Sequence, residues 1–198
     1  MWSTRSIPAV IVACVLLLGT ALPSLADGSW LDGDLVSWNA AGMAIPAAPG
    51  EAFVPGDMAY CQPSVRPAET PEDLQVADRG WLLTAPYQLG WGIAVIEGFL
   101  RFDANCRPVS FQHFVFVDGV FAGTLAPEAM LPRLDGALFD VWMGPDEVGA
   151  LYDRYAPTDG LCCPSAQTRV SFVVERTATG PVVTPAQADA LPAPSPGR

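Results

Sequence analysis

The sequence predicts a mainly β, α+β domain: one antiparallel sheet of about six or seven strands, a short N-terminal helix and disulfide staples. Three observations predict it. Short apolar runs recur between Gly, Pro and Asp punctuation, as strands between turns do. One stretch alone, at Thr70-Pro71, carries a strong helix start. Four cysteines, Cys61, Cys106, Cys162 and Cys163, follow an apolar leader, and an even set in an exported chain reads as disulfides.

Taken in order, residues 1–26 read as an export signal. Arg5 is the basic end, residues 7–18 are apolar apart from Pro8, and Ser24-Leu25-Ala26 offers small residues for cleavage before Asp27. Retention as an anchor is the alternative, as is lipidation at Cys14. That cysteine, however, lies inside the apolar run with Val15 to Leu18 still to come. Residues 27–56, rich in Ala, Gly and Pro, read as a flexible spacer. Asp32 and Asp34 within it lack the further oxygen ligands calcium needs and read as a polar loop. The folded domain is expected over 57–176, and the Pro- and Ala-rich residues 177–198 as a disordered tail.

Within the domain, Thr70 caps a helix, Pro71 suits its first position, Glu72 and Asp73 meet the positive end of its dipole, and Gly80 stops it. Strands follow at 81–84 and 91–96, with turns at Ala85-Pro86 and Leu89-Gly90, and 99–102 continues the sheet after a bulge or bend at Gly98. Asp118-Gly119 between two apolar runs predicts a hairpin with a type I′ turn. The register that follows sets Val117 against Val120, Phe116 against Phe121, Val115 against Ala122, Phe114 against Gly123 and His113 against Thr124. Residues 114–117 are apolar on both faces, which marks an interior strand. Residues 125–136 form a loop, 138–143 and 148–155 an antiparallel pair, and 169–176 the last strand.

The basic side chains number 10, all of them arginine, against 21 acids, for a net charge of −11. Such a surface repels phosphate backbones and excludes a nucleic-acid partner. The membrane is a partner only through the N-terminal segment. Of the three pairings open to four cysteines, the vicinal one is disfavoured because adjacent residues of an extended chain point apart. Cys61 and Cys106 are therefore each expected to join one of Cys162 and Cys163, with the order open. His113 is the one imidazole. No metal or cofactor is predicted, and His113 reads as a hydrogen-bonded strand residue, because no nucleophile motif accompanies it.

Three stretches carry a resemblance to a known family. They are FVFVDGVFAGTLAP from Phe114, the run Met130-x-x-Arg133-x-Asp135-Gly136-Ala137-Leu138, and Tyr152-x-Arg154-Tyr155-x-x-x-Asp159-x-Leu161-Cys162-Cys163-Pro164-Ser165. With Cys106-Arg107-Pro108 they resemble the bacterial LppP/LprE lipoproteins over residues 80–176. The resemblance implies export to the periplasm, envelope or medium, and no activity.

Arg133, Asp135, Tyr152, Arg154 and Asp159, loop residues shared with the family pattern, together with His113, are the candidate binding residues, since Arg beside Tyr suits carboxylates, phosphates or peptide groups. The function expected is a non-enzymatic binding or structural role at the envelope, with a small molecule or an envelope protein as partner. The alternative is a secreted hydrolase or thiol-redox protein using His113 or Cys162 and Cys163. N-terminal sequencing of the exported protein should read from Asp27. A chain beginning at acylated Cys14 would contradict the export reading.

Overall fold

The Asp118-Gly119 hairpin forms with both turn residues at positive φ, +50° and +81°, as a type I′ turn requires. It belongs to the centre of a computed structural model that describes residues 29–50, 60–103, 105–160 and 162–192. The export signal, its cleavage site and Cys14 lie outside the described residues. In chain order the elements are α1 (Pro71–Ala77), β1 (Leu82–Gly90), β2 (Ile93–Phe99), β3 (Arg101–Phe102), β4 (Pro108–Val109), β5 (Gln112–Val117), β6 (Val120–Thr124), β7 (Ala137–Met143), β8 (Glu147–Arg154), β9 (Ala166–Thr177) and β10 (Gly180–Pro192).

These strands do not make the single sheet expected from the sequence. They form a four-stranded antiparallel sheet in the order β1-β2-β5-β6, a second in the order β10-β9-β8-β7, and a two-stranded ribbon of β3 and β4. The helix is internal rather than N-terminal. The physical reason is burial. Val95, Val115 and Val117 of the first sheet pack with Val148, Tyr152, Val170 and Phe172 of the second in one core cluster. On the other face of the first sheet, Ala94, Ile96, Phe114, Phe116 and Phe121 pack with Val76 of α1, Trp81 and Ile45. A sheet apolar on both faces needs two covers.

The helix begins as its cap residues dictate. The Thr70 hydroxyl accepts from the Asp73 amide, and the Asp73 carboxylate accepts from the Thr70 amide, a capping box. Asp73 is fully buried, and Arg66 grips it with bonds of 2.6 and 2.8 Å. Burial pushes this carboxyl up, but the bonds from Arg66 and from the Glu69 and Thr70 amides outweigh it and hold it below its ordinary value.

Three local readings are corrected. The strands at 81–84 and 91–96 are parts of longer ones: β1 continues through Ala85-Pro86 with a register shift, and the turn falls at Trp91-Gly92. Gly98 is neither bulge nor bend but a close approach within β2, where a Cβ would lie 2.9 Å from the Phe114 ring and 3.1 Å from Trp81. The β5–β6 register holds at Val117–Val120 and Phe116–Phe121, then slips, so that Val115 faces Gly123 and Phe114 faces Thr124. His113 instead lies against Glu97 of β2.

Asn39 accounts for that slip. Its amide nitrogen donates to the carbonyls of Thr124 (2.9 Å) and Val183 (2.8 Å), and its oxygen accepts from the Thr124 amide at 2.9 Å. It thereby joins the edge strands β6 and β10 of the two sheets. A Cβ on Gly123, where φ is +135°, would overlap the Asn39 side chain.

The two stretches read as unstructured are likewise corrected. The described part of the 27–56 spacer packs on the domain. Trp30 meets Tyr152 edge-on and Trp38 meets Phe172, while the Trp81 indole donates to Pro46. Residues 180–192 of the presumed tail form β10, paired with β9 along its whole length apart from one shift. The prolines that suggested disorder are tolerated because β10 is an edge strand. Replacing Asn39 by Ala strands buried backbone groups and should cost about 2–4 kcal/mol in denaturant unfolding. An unchanged midpoint would show that the seam does not depend on it.

Candidate functional site

Where the ends of the two sheets meet the β3–β4 ribbon, a cleft of about 250 Å³ opens. Its floor is Glu97 of β2 with Phe111 and His113 at the start of β5. One wall is the β3–β4 ribbon with Asp103, Arg107, Pro108 and Val109. The opposite wall is Pro132, Arg133, Ala137 and Leu138, and Tyr155 closes it just past β8.

The ribbon wall is built by Asp103. Its carboxylate accepts from the Asn105 and Arg107 amides at 2.8 and 3.0 Å, and from Arg107 Nε at 2.7 Å, with a second ion-pair contact to Nη2. Burial pushes its pKa up, and these bonds pull it below the ordinary value. The tight turn puts Cys106 at a φ of +58° and presents it to Cys61, to which it is disulfide-bonded.

The opposite wall is built by two aspartates. Asp135 accepts from the Leu131 amide at 2.7 Å and closes the loop before β7. Asp159 accepts from the Ala156 and Ser165 amides at 2.7 and 2.9 Å, which lower its pKa. Its carbonyl receives a 2.9 Å bond from Arg133 Nη1, and the Arg133 guanidinium lies 5.2 Å from the centre of the Tyr155 ring. The Tyr155 hydroxyl is pushed up by burial first and then by Asp153, with Arg107 and Arg133 opposing.

Of the residues singled out from the sequence, His113 and Arg133 line the cleft. His113 is buried, its Nε2 is 3.6 Å from a Glu97 carboxylate oxygen, and its ring meets Phe111 edge-on. Asp135 and Asp159 shape the loops behind the wall. Tyr152 lies in the core, where its hydroxyl donates to the Leu125 carbonyl at 2.7 Å, and burial drives its pKa far up. Arg154 makes a two-pronged pair with Asp32 at 2.8 and 2.9 Å.

Sequence reasoning missed Glu97, Asp103, Arg107, Phe111 and Tyr155. Glu97 carried a signal, as the single charge in the apolar run of β2, and Arg107 and Tyr155 stand in the motifs already quoted. No serine, threonine or cysteine lines the cleft. Among the described residues no three His, Cys, Asp or Glu side chains are placed to hold a metal ion, and no helix is long and apolar enough to cross a membrane.

The expected disulfide framework is overturned. Cys61 pairs with Cys106, and Cys162 pairs with its neighbour Cys163. The premise of an extended chain fails there. The Cys163 amide bonds back to the Gly160 carbonyl at 3.1 Å, and Cys162 and Cys163 are both exposed.

Two covalent staples on a two-sheet β structure define an exported, disulfide-bonded class of protein. Residues 88–177, which hold every residue lining the cleft, match the family model of the LppP/LprE lipoproteins. That match supports an exported, cell-envelope location. Comparisons with curated proteins and with solved structures give no match. Peptide mapping under non-reducing conditions should recover Cys61–Cys106 and Cys162–Cys163 peptides. A cross-link from Cys61 or Cys106 to the vicinal pair would contradict this framework.

Proposed function

We propose that this protein is a non-enzymatic binding protein of the envelope, and that it takes a small molecule into the cleft between the ribbon and the loop before β7. The observation that carries this reading is the composition of the cleft. Apolar walls surround a few polar groups held from behind by hydrogen bonds, the pattern of a pre-formed ligand site. An acid–base pair is present in Glu97 and His113, but no serine, threonine or cysteine lines the cleft beside it. Leu138→Trp fills the cleft from a half-buried position. Native mass spectrometry of protein isolated from the envelope should find a small non-covalent adduct that Leu138→Trp loses while its melting temperature holds. An adduct kept by the variant, or none in either protein, would overturn the reading.

One observation favours a second reading, a thiol-redox role: the Cys162–Cys163 disulfide is exposed. A dithiol reductant would pass two electrons to it and become a disulfide in turn. Thiol trapping in intact cells separates the two readings, since the binding role expects the pair to stay oxidised.

A further inference from the structure

The cleft lining carries two carboxylates, Glu97 and Asp103, and two guanidiniums, Arg107 and Arg133, and the two arginines are held in different ways. Arg107 is neutralised by Asp103, with which it makes an ion pair and a hydrogen bond. His113 faces Glu97 at 3.6 Å. Arg133 is differently placed. It gives Nη1 to a backbone carbonyl and lays its plane near the Tyr155 ring, neither of which cancels its charge. The Asp159 carboxylate is within electrostatic reach, yet its hydrogen bonds go to the Ala156 and Ser165 amides. A guanidinium fork with donors to spare, beside apolar walls, is the recognition element for a planar anion.

The geometry points to a small amphipathic monocarboxylate as the ligand, an inference that rests on the cleft being a binding site. Its carboxylate would meet Arg133, and its apolar body would lie among Val109, Phe111, Pro132 and Leu138. A single negative charge answers the one arginine of the cleft that makes no ion pair within 4 Å among the described residues. A phosphate dianion would bring a second charge toward Glu97 and Asp103 on the floor and far wall. Size sets the other limit. About 250 Å³, at roughly 30 Å³ for each water-sized group, holds about eight such groups, and bonded atoms lie closer together than separate waters, so about ten non-hydrogen atoms fit. That admits an aryl acid with a one-carbon arm or a medium-length fatty acid, and not a long acyl chain.

The test uses three shape-matched probes on the purified full-length protein: phenylacetate, phenylacetamide and phenyl phosphate, followed by calorimetry. Phenylacetate should bind at least tenfold more tightly than either of the others. Arg133→Gln should bring the acid and the amide to within about twofold of each other, and Arg133→Lys should keep the preference for the acid at lower affinity. A purely structural role for Arg133 would weaken both probes alike and leave their ratio unchanged, which would overturn the assignment. Equal binding of acid and amide by the parent protein, or preference for the phosphate, would also overturn it. In that case loss of all binding in Leu138→Trp would still support the cleft as the site. Binding of none of the three probes overturns the monocarboxylate, and the adduct experiment then decides the cleft itself by a different measurement.

Discussion

The structure depends on one constraint: the middle of the first sheet has no face that tolerates water. Ile93, Val95, Val115 and Val117 point one way, and Ala94, Ile96, Phe114 and Phe116 point the other. Every one of these side chains is less than 4 % exposed. The second sheet covers the first set, and Ile45, Val76 of α1 and Trp81 cover the second. With roughly 25 cal/mol for each Å² of apolar surface removed from water, leaving either face bare would outweigh the net stability of a domain this size.

The cleft is a by-product of the same arrangement. At the end where the two sheets meet the ribbon, β2, β5 and β7 leave a gap closed by the β3–β4 ribbon and by loops. The ribbon and the loop before β7 line it because each is closed on itself by an aspartate, Asp103 in one and Asp135 in the other. Neither loop needs the cleft to be filled in order to hold its shape, so the binding site proposed above would be organised before any ligand arrived.

Much of this was legible in the residues. Asp118-Gly119, Thr70 with Asp73 and the two-faced apolar run at 114–117 act locally, through turn geometry, capping and alternation, and local rules read them correctly. What could not be read depends on partners distant in sequence. The slip in the β5–β6 register comes from Asn39, 85 residues away. Division into two sheets is settled by which apolar face finds which cover, and alternation along a single strand does not encode that. Composition misled at both ends of the domain. The Pro- and Ala-rich stretches read as spacer and tail because proline argues against structure, yet Trp30, Trp38, Val182 and Val183 within them supply enough apolar surface to dock. In the cleft, Arg133 and His113 were identified by residue type, whereas Glu97, Asp103 and Arg107 emerge only when β2, the ribbon and β5 meet.

The register shifts fall in a pattern. They occur in the β1–β2, β5–β6, β7–β8 and β9–β10 pairings, each of which includes an outermost strand, while the central pairs β2–β5 and β8–β9 run without interruption. β10 adds Pro181, Pro185 and Pro192, which have no amide hydrogen to offer. An open row of backbone donors and acceptors is a template on which a neighbouring chain can grow another strand. Here every such row is broken, by a kink or by a missing donor, at the border of its sheet. A protein at the cell envelope, beyond the reach of cytoplasmic chaperones, thus carries in its own edges a barrier to polymerising with its copies.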